Sequence, residues 1–208
     1  MTVSSHSAKH EPDMHFRRYS YGAMLLHWLM ALGIFSLFII GPVMTRLPIS
    51  EASMMFSLYQ LHKSVGITIL ILAMLRVFWW AYRRPPPAAS FLTTQERRLS
   101  KSLHLLLYGM MFAVPLLGWA LVSTSPLNIP TYLFGEIPWP HLPWFQTMDD
   151  RASTDVLLKT LHKAAAYLML FMLVLHIAAA LRHQFILRDG LIFRMLPYRP
   201  QAKEGTRQ

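Results

Sequence analysis

No cysteine occurs in the 208 residues. That excludes disulfides, thiolate-ligated iron–sulfur clusters, cysteine-based zinc sites and covalent C-x-x-C-H haem attachment. Charge is scarce as well: 14% of residues are charged and 54% are apolar, where a soluble chain carries about 25% charged residues. The mean hydropathy is +0.34. Such a chain lacks the polar groups to cover a water-facing surface. Acidic residues are the scarcest charge, 10 against 20 Lys and Arg, for a net charge of +10. A basic chain can bind nucleic acid, but these cations flank long apolar runs, which points to a membrane and away from nucleic acid.

Four apolar runs dominate what is present: about 21–44, 58–82, 103–124 and 156–182. Each is near or above the roughly 20 residues a helix needs to cross hydrocarbon. None alternates with period two, so barrel strands are not expected. Residues 1–20 are polar and no A-x-A-like site follows the first run, so a cleaved signal peptide is not expected either. Pro42 and Pro48 punctuate the first run, and Pro85, Pro86 and Pro87 stop the second, because proline lacks the N–H a helix requires. The proline-rich loop of about 125–155 carries Trp139 and Trp144, whose rings suit a headgroup region. Pro115 falls inside the third run, where a kink is tolerated. The expected organisation is a polar tail over 1–20, an antiparallel four-helix transmembrane bundle over 21–185 and a second tail over 186–208.

Lys and Arg set the orientation. Fourteen fall on the side of the N-terminal tail, the 83–102 loop and the C-terminal tail, five on the other side, and Arg76 inside a span. Positive residues stay in the cytoplasm, so both termini are expected there.

Ionisable groups inside a span are costly and mark function. His27, His62, His104, His162 and His176 lie in or at the edges of spans. His183 sits just beyond the last span, while His6, His10, His15 and His141 lie in polar segments and read as solvated or interfacial. His176 follows His162 by fourteen residues, a rise of about 21 Å and some 40° short of four full turns, so both share one face of the fourth helix. Alternating helix direction then places His27 and His176 at one depth and His62 and His162 at another. Two histidine pairs at two depths suit two bis-histidine b-type haems. One turn after each of these four stands a small residue (Ala31, Gly66, Ala166, Ala180), whereas Tyr108 follows His104 and Leu187 follows His183. A flat macrocycle against a helix needs that space.

Helix–helix hydrogen bonding is the plainer role for a membrane histidine, and small residues also serve close helix packing. A zinc or proton site would need its ligands at one depth, usually with carboxylates. Leu61-His62-Lys63 and Leu161-His162-Lys163 repeat one triplet, and Lys63 and Lys163 either meet haem propionates or act as interfacial anchors. Arg76 lies fourteen residues after His62, where a propionate would neutralise it. The methionines, among them Met30, Met74, Met169 and Met172, read as packing.

The segments LLHWLM (25–30), LHKSVGITILILAMLRVFWW (61–80), HLLLYGMMFAVPLLGWAL (104–121) and LHKAAAYLMLFMLVLHIAAALRHQF (161–185), with the tail RDGLIFRMLPYR (188–199), resemble the bacterial cytochrome b561 family. The resemblance implies an inner-membrane dihaem cytochrome with His27, His62, His162 and His176 as axial ligands. It further implies electron transfer from a periplasmic donor, superoxide foremost, to ubiquinone. His104 and His183 match family histidines that are not ligands. Alternatives are a quinone-reactive anchor subunit of a dehydrogenase or hydrogenase and, in another class, a haem-free metal-ion or proton transporter. Lipid and quinone are expected partners, and a homodimer remains open.

Overall fold

A computed structural model of the chain describes residues 18–83, 86–87 and 91–197. Most of the N-terminal tail, the 198–208 end, Pro85 and Arg84 therefore lie outside the described residues.

Four helices are long and apolar enough to cross a membrane. They are α1 (Tyr21–Met44), α2 (Ala52–Tyr82), α3 (Thr94–Thr124) and α5 (Arg151–Leu181), with the one-turn α4 (Pro143–Gln146) between the last two. Their apolar side chains face outwards along much of each helix, as Leu25, Leu32, Phe35 and Ile39 do on α1. Outward leucines cost nothing in hydrocarbon, while the helical backbone satisfies its own hydrogen bonds. Inside, Met30, Ile34, Ile69, Ala73 and Met169 form the core, with Met110 and Met111 packed against it. The methionine packing expected from the sequence thus holds at Met30, Met169 and Met172, but Met74 is exposed on the outer surface.

Three of the four long helices, α1, α3 and α5, begin on a side-chain cap. Ser20 accepts from the Ala23 N–H and from Trp79 Nε1. Asp150 accepts from the Ser153 N–H. Thr93 and Glu96 form a reciprocal capping box, which ties up the free N–H groups of the first turn. That box starts α3 nine residues earlier than the apolar run suggested, and α2 likewise starts six residues early. The α3 extension, TQERRLSKS, is polar, whereas that of α2, ASMMFS, is mostly apolar.

Close packing joins α1 to α2, α2 to α3 and α3 to α5. A Cβ at Gly33 of α1 would stand 2.8 Å from Ile69 Cδ1 of α2, so glycine permits that approach. Among the described residues α5 does not pack closely on α1 or α2.

The two ends of the bundle differ. At one, the terminal face, the segment before the first helix meets the segment after the last: the Tyr19 N–H donates to Arg194 O at 3.2 Å, Arg18 donates to Leu196 O, and Arg194 donates to Pro87 O at 2.7 Å. The last helix passes through a π-helical turn, Arg182–Leu187, and a 3-10 turn, Leu191–Arg194, to reach there. The other end, the hairpin face, departs from an all-helical expectation. Its 125–150 loop contains a small antiparallel hairpin, β1 (Thr131–Leu133) with β2 (Ile137–Trp139), Thr131 opposite Trp139. The hairpin is pinned to α2: the Phe134 N–H donates to Ser64 Oγ at 2.9 Å, and Gln60 Nε2 to Pro130 O at 2.9 Å.

Candidate functional site

Helix direction and helical phase bring four histidines into two facing pairs. His27 of α1 faces His176 of α5 with ring centres 6.3 Å apart. His62 of α2 faces His162 of α5, also at 6.3 Å. Imidazole nitrogen bonds a first-row metal at about 2 Å, so two rings on opposite sides of one iron stand with centres about 6 Å apart. Both pairs have that separation, and both lie between helices that do not pack closely. A Cβ placed on Gly66, one turn beyond His62, would meet no atom within 4 Å. The open space beside the ligand helix is the cradle a haem plane needs. The donor set, two neutral imidazoles per level in an apolar bundle, suits haem iron.

The hairpin-face pair shows how one ring is aimed. His162 Nδ1 lies 3.0 Å from Val114 O. Donation to that carbonyl leaves Nε2 unprotonated, the form a metal ligand needs. Gly118 makes the approach possible, since a Cβ there would stand 3.1 Å from His162 Cε1. Nδ1 of His62 is buried without a hydrogen-bond partner.

At the terminal face a third ring joins the pair. His104 stands 5.2 Å from His176, centre to centre, with Nδ1 at 2.6 Å from Ser100 O. Trp28 stacks edge-on to His27 at 5.3 Å and donates to Met195 O at 2.8 Å. Arg76 acts electrostatically on both His27 and His176, placing it at this level as expected. Its Nε donates to Tyr108 Oη at 2.7 Å, and its guanidinium lies 5.7 Å from the centre of that ring. A pocket of about 410 Å³ at this face is lined by Arg18, Arg76, Trp79, Arg83 and Tyr108 among others. His183 is buried and bonds Asp189 at 2.5 Å, while the other oxygen of Asp189 accepts from the Leu191 N–H. That pair shapes the turn into the C-terminal segment.

The two LHK triplets have different surroundings. Lys63 reaches under the hairpin to Thr131 Oγ1 at 3.3 Å, whereas Lys163 is exposed. Thr131, Trp139, His141 and Arg151, which carry no site role in the sequence reading, belong to the same face. His141 was read as interfacial, yet its Nε2 stands 3.4 Å from Thr131 Oγ1. Tyr108, Val114 and Gly118 were missed too. The available signal is the glycine one turn after Pro115: a small residue on a neighbouring helix makes room for a histidine as one on its own helix does.

A bundle that crosses a membrane with histidine pairs inside it fits the class of membrane b-type cytochromes. The family model for prokaryotic cytochrome b561 matches residues 18–198, and the chain belongs to that family. It is 30% identical over 179 residues to cytochrome b561 homolog 2 of Escherichia coli (strain K12), covering 86% of this chain and 91% of that one. It is 28% identical over 104 residues to cytochrome b561 homolog 1 of the same organism, covering 50% of this chain and 54% of the other. The protein is thus a multi-pass membrane cytochrome of the b type, and electron transfer through haem is its function.

Proposed function

We propose that the chain holds two b haems, one between His27 and His176 and one between His62 and His162, and carries electrons between the two faces of the bacterial inner membrane. The observation that carries this reading is the pair of 6.3 Å ring separations at two depths, which lie about 21 Å apart along α5. Bound haem supplies one-electron redox chemistry at iron. The chain's own residues do the rest. Each histidine pair would supply two imidazole nitrogens to one haem iron, which would carry single electrons rather than bind oxygen. The apolar helices exclude water and favour the less charged redox state. Val114 orients His162. Arg76, held by Tyr108, supplies positive charge for a propionate at the terminal level, and Lys63 does so at the hairpin level, with Lys163 at the adjoining surface.

The excess of Lys and Arg on the terminal face assigns it to the cytoplasm and the hairpin face to the periplasm. Superoxide is the periplasmic donor in this reading and ubiquinone the acceptor. Two superoxide anions each give up one electron and leave as dioxygen, and ubiquinone gains two electrons and two protons to become ubiquinol. Lys63, Lys159 and Lys163 near the hairpin face raise the local concentration of an anionic donor. Stopped-flow reduction of the oxidised protein by superoxide tests the donor. Fast reduction that slows with added salt, and weakens in Lys63→Gln plus Lys163→Gln, is expected. Slow, salt-insensitive reduction would remove superoxide and leave the haem assignment standing.

A further inference from the structure

The polar residues beneath the hairpin are nearly all donors. Lys63 Nζ spends one N–H on Thr131 Oγ1, at 3.3 Å, and has two more. Thr131 is only 3% exposed, and its hydroxyl lies between Lys63 and His141 Nε2. Burial, then the charges of Lys63 and Arg151, hold the His141 imidazole below its ordinary pKa. Neutral, it accepts from Thr131 through Nε2 and keeps an N–H on Nδ1. Trp139 stands directly across the hairpin from Thr131, on the same face of the two strands, and its Nε1 is buried without a partner. Arg151 acts electrostatically on His141. One of its terminal nitrogens donates to Ser125 O at 3.0 Å, while its Nε is buried without a partner. The described carboxylate ion pairs, Glu96 with Arg182 and Asp189 with His183, belong to the opposite face.

Buried N–H groups left unpaired cost about 1–3 kcal/mol each, so native structures rarely keep them. Here two unpaired donors and two cations belong to one loop and the helix it is pinned to, and among the described residues the acids of that loop, Glu136, Asp149 and Asp150, form no ion pair with Lys63 or Arg151. We propose that Lys63, Trp139, His141 and Arg151, held by Thr131, form an oxyanion-binding site over the hairpin-face haem level. The proposal rests on the haem reading above. Its ligand is a carboxylate or similar oxyanion, supplied either by a propionate of that haem or by a soluble anionic reductant. The hairpin fixes the site, because its pinning to Gln60 and Ser64 holds Thr131 and Trp139 beside the stretch of α2 that carries His62 and Lys63.

Trp139→Phe and Arg151→Gln remove one donor each and preserve bulk; Arg46→Gln removes a charge from the same face outside the cluster. Each variant is purified with haem and measured twice. Redox titration gives the midpoint potentials of both haems. Stopped-flow mixing gives the rates of reduction by ascorbate, an anion, and by hexaammineruthenium(II), a cation. A propionate in the site predicts a lower potential for one haem, with the two donors affected alike. A soluble anion in the site predicts unchanged potentials and roughly tenfold slower reduction by ascorbate alone, the scale of electrostatic steering. If Trp139→Phe and Arg151→Gln both match Arg46→Gln in potentials and in the ratio of the two rates, there is no such site. A wild-type protein that binds no haem would instead overturn the haem reading, a result visible in its spectrum before either measurement.

Discussion

The two histidine levels share one geometry and differ in everything around it. Both pairs have ring centres 6.3 Å apart. At the terminal face the pair is crowded by His104, Trp28 and the Arg76–Tyr108 couple, and Trp28 is tied to Met195 of the segment after the last helix. At the hairpin face the pair is held by backbone: Val114 O orients one ring, glycine makes room for it, and a pinned loop covers it. Equal ligand geometry would give both levels the same chemistry at iron. The different surroundings set the potential of each level and what reaches it.

Several substitutions would sharpen this contrast. The largest effect is expected at Gly118. A side chain there collides with His162, so Gly118→Leu should lower haem content from two towards one per chain and spare the terminal level. Gly41 is the comparison, since a Cβ there would sit 3.6 Å from His62 Cε1, an ordinary contact. Gly41→Ala should keep both haems by pyridine haemochrome assay.

An intermediate effect is expected at Arg76. A unit charge about 10 Å from a redox centre, at an effective dielectric of about 20, is worth about 1–2 kcal/mol, or tens of millivolts for one electron. Removing a positive charge disfavours the reduced state. Arg76→Gln should therefore lower the midpoint potential of the terminal-face haem, and Tyr108→Phe should do so by less. Redox titration checks both. An equal fall in both haems would contradict the placement of Arg76.

The smallest effect concerns pH. His141 has its pKa held down from the ordinary value of 6.5 by burial and by neighbouring cations. Folded, it stays neutral where an unfolded loop would take up a proton. Above about pH 6.5 the difference vanishes; below it the unfolded loop gains protons and the covering hairpin loses stability. Protection factors across 131–139, the intrinsic exchange rate at each pH divided by the observed one, should fall on moving from about pH 7 to about pH 5, and His141→Gln should flatten that response.

What the sequence revealed divides along the same line. The four spans were legible because twenty-odd apolar residues have few other uses. The histidine levels were legible because a fourteen-residue spacing is nearly four whole helical turns. The early start of α3 was hidden in a polar stretch, although Thr93 and Glu96 spell its cap. The hairpin was hidden because its strands are three residues long and one contains Pro138. Its donor cluster was less legible still. Lys63, Thr131, His141 and Arg151 are far apart in sequence and meet only because the loop folds back. Identical LHK triplets gave no hint that one lysine would lie under the hairpin and the other in the open.

Haem stoichiometry across single histidine substitutions tests the central claim most directly. The wild-type protein should carry two b haems. His62→Ala and His27→Ala should each retain one, with different residual reduced-minus-oxidised spectra, and His104→Ala should retain two. Loss of a haem in His104→Ala with two retained in His62→Ala would contradict the pairing.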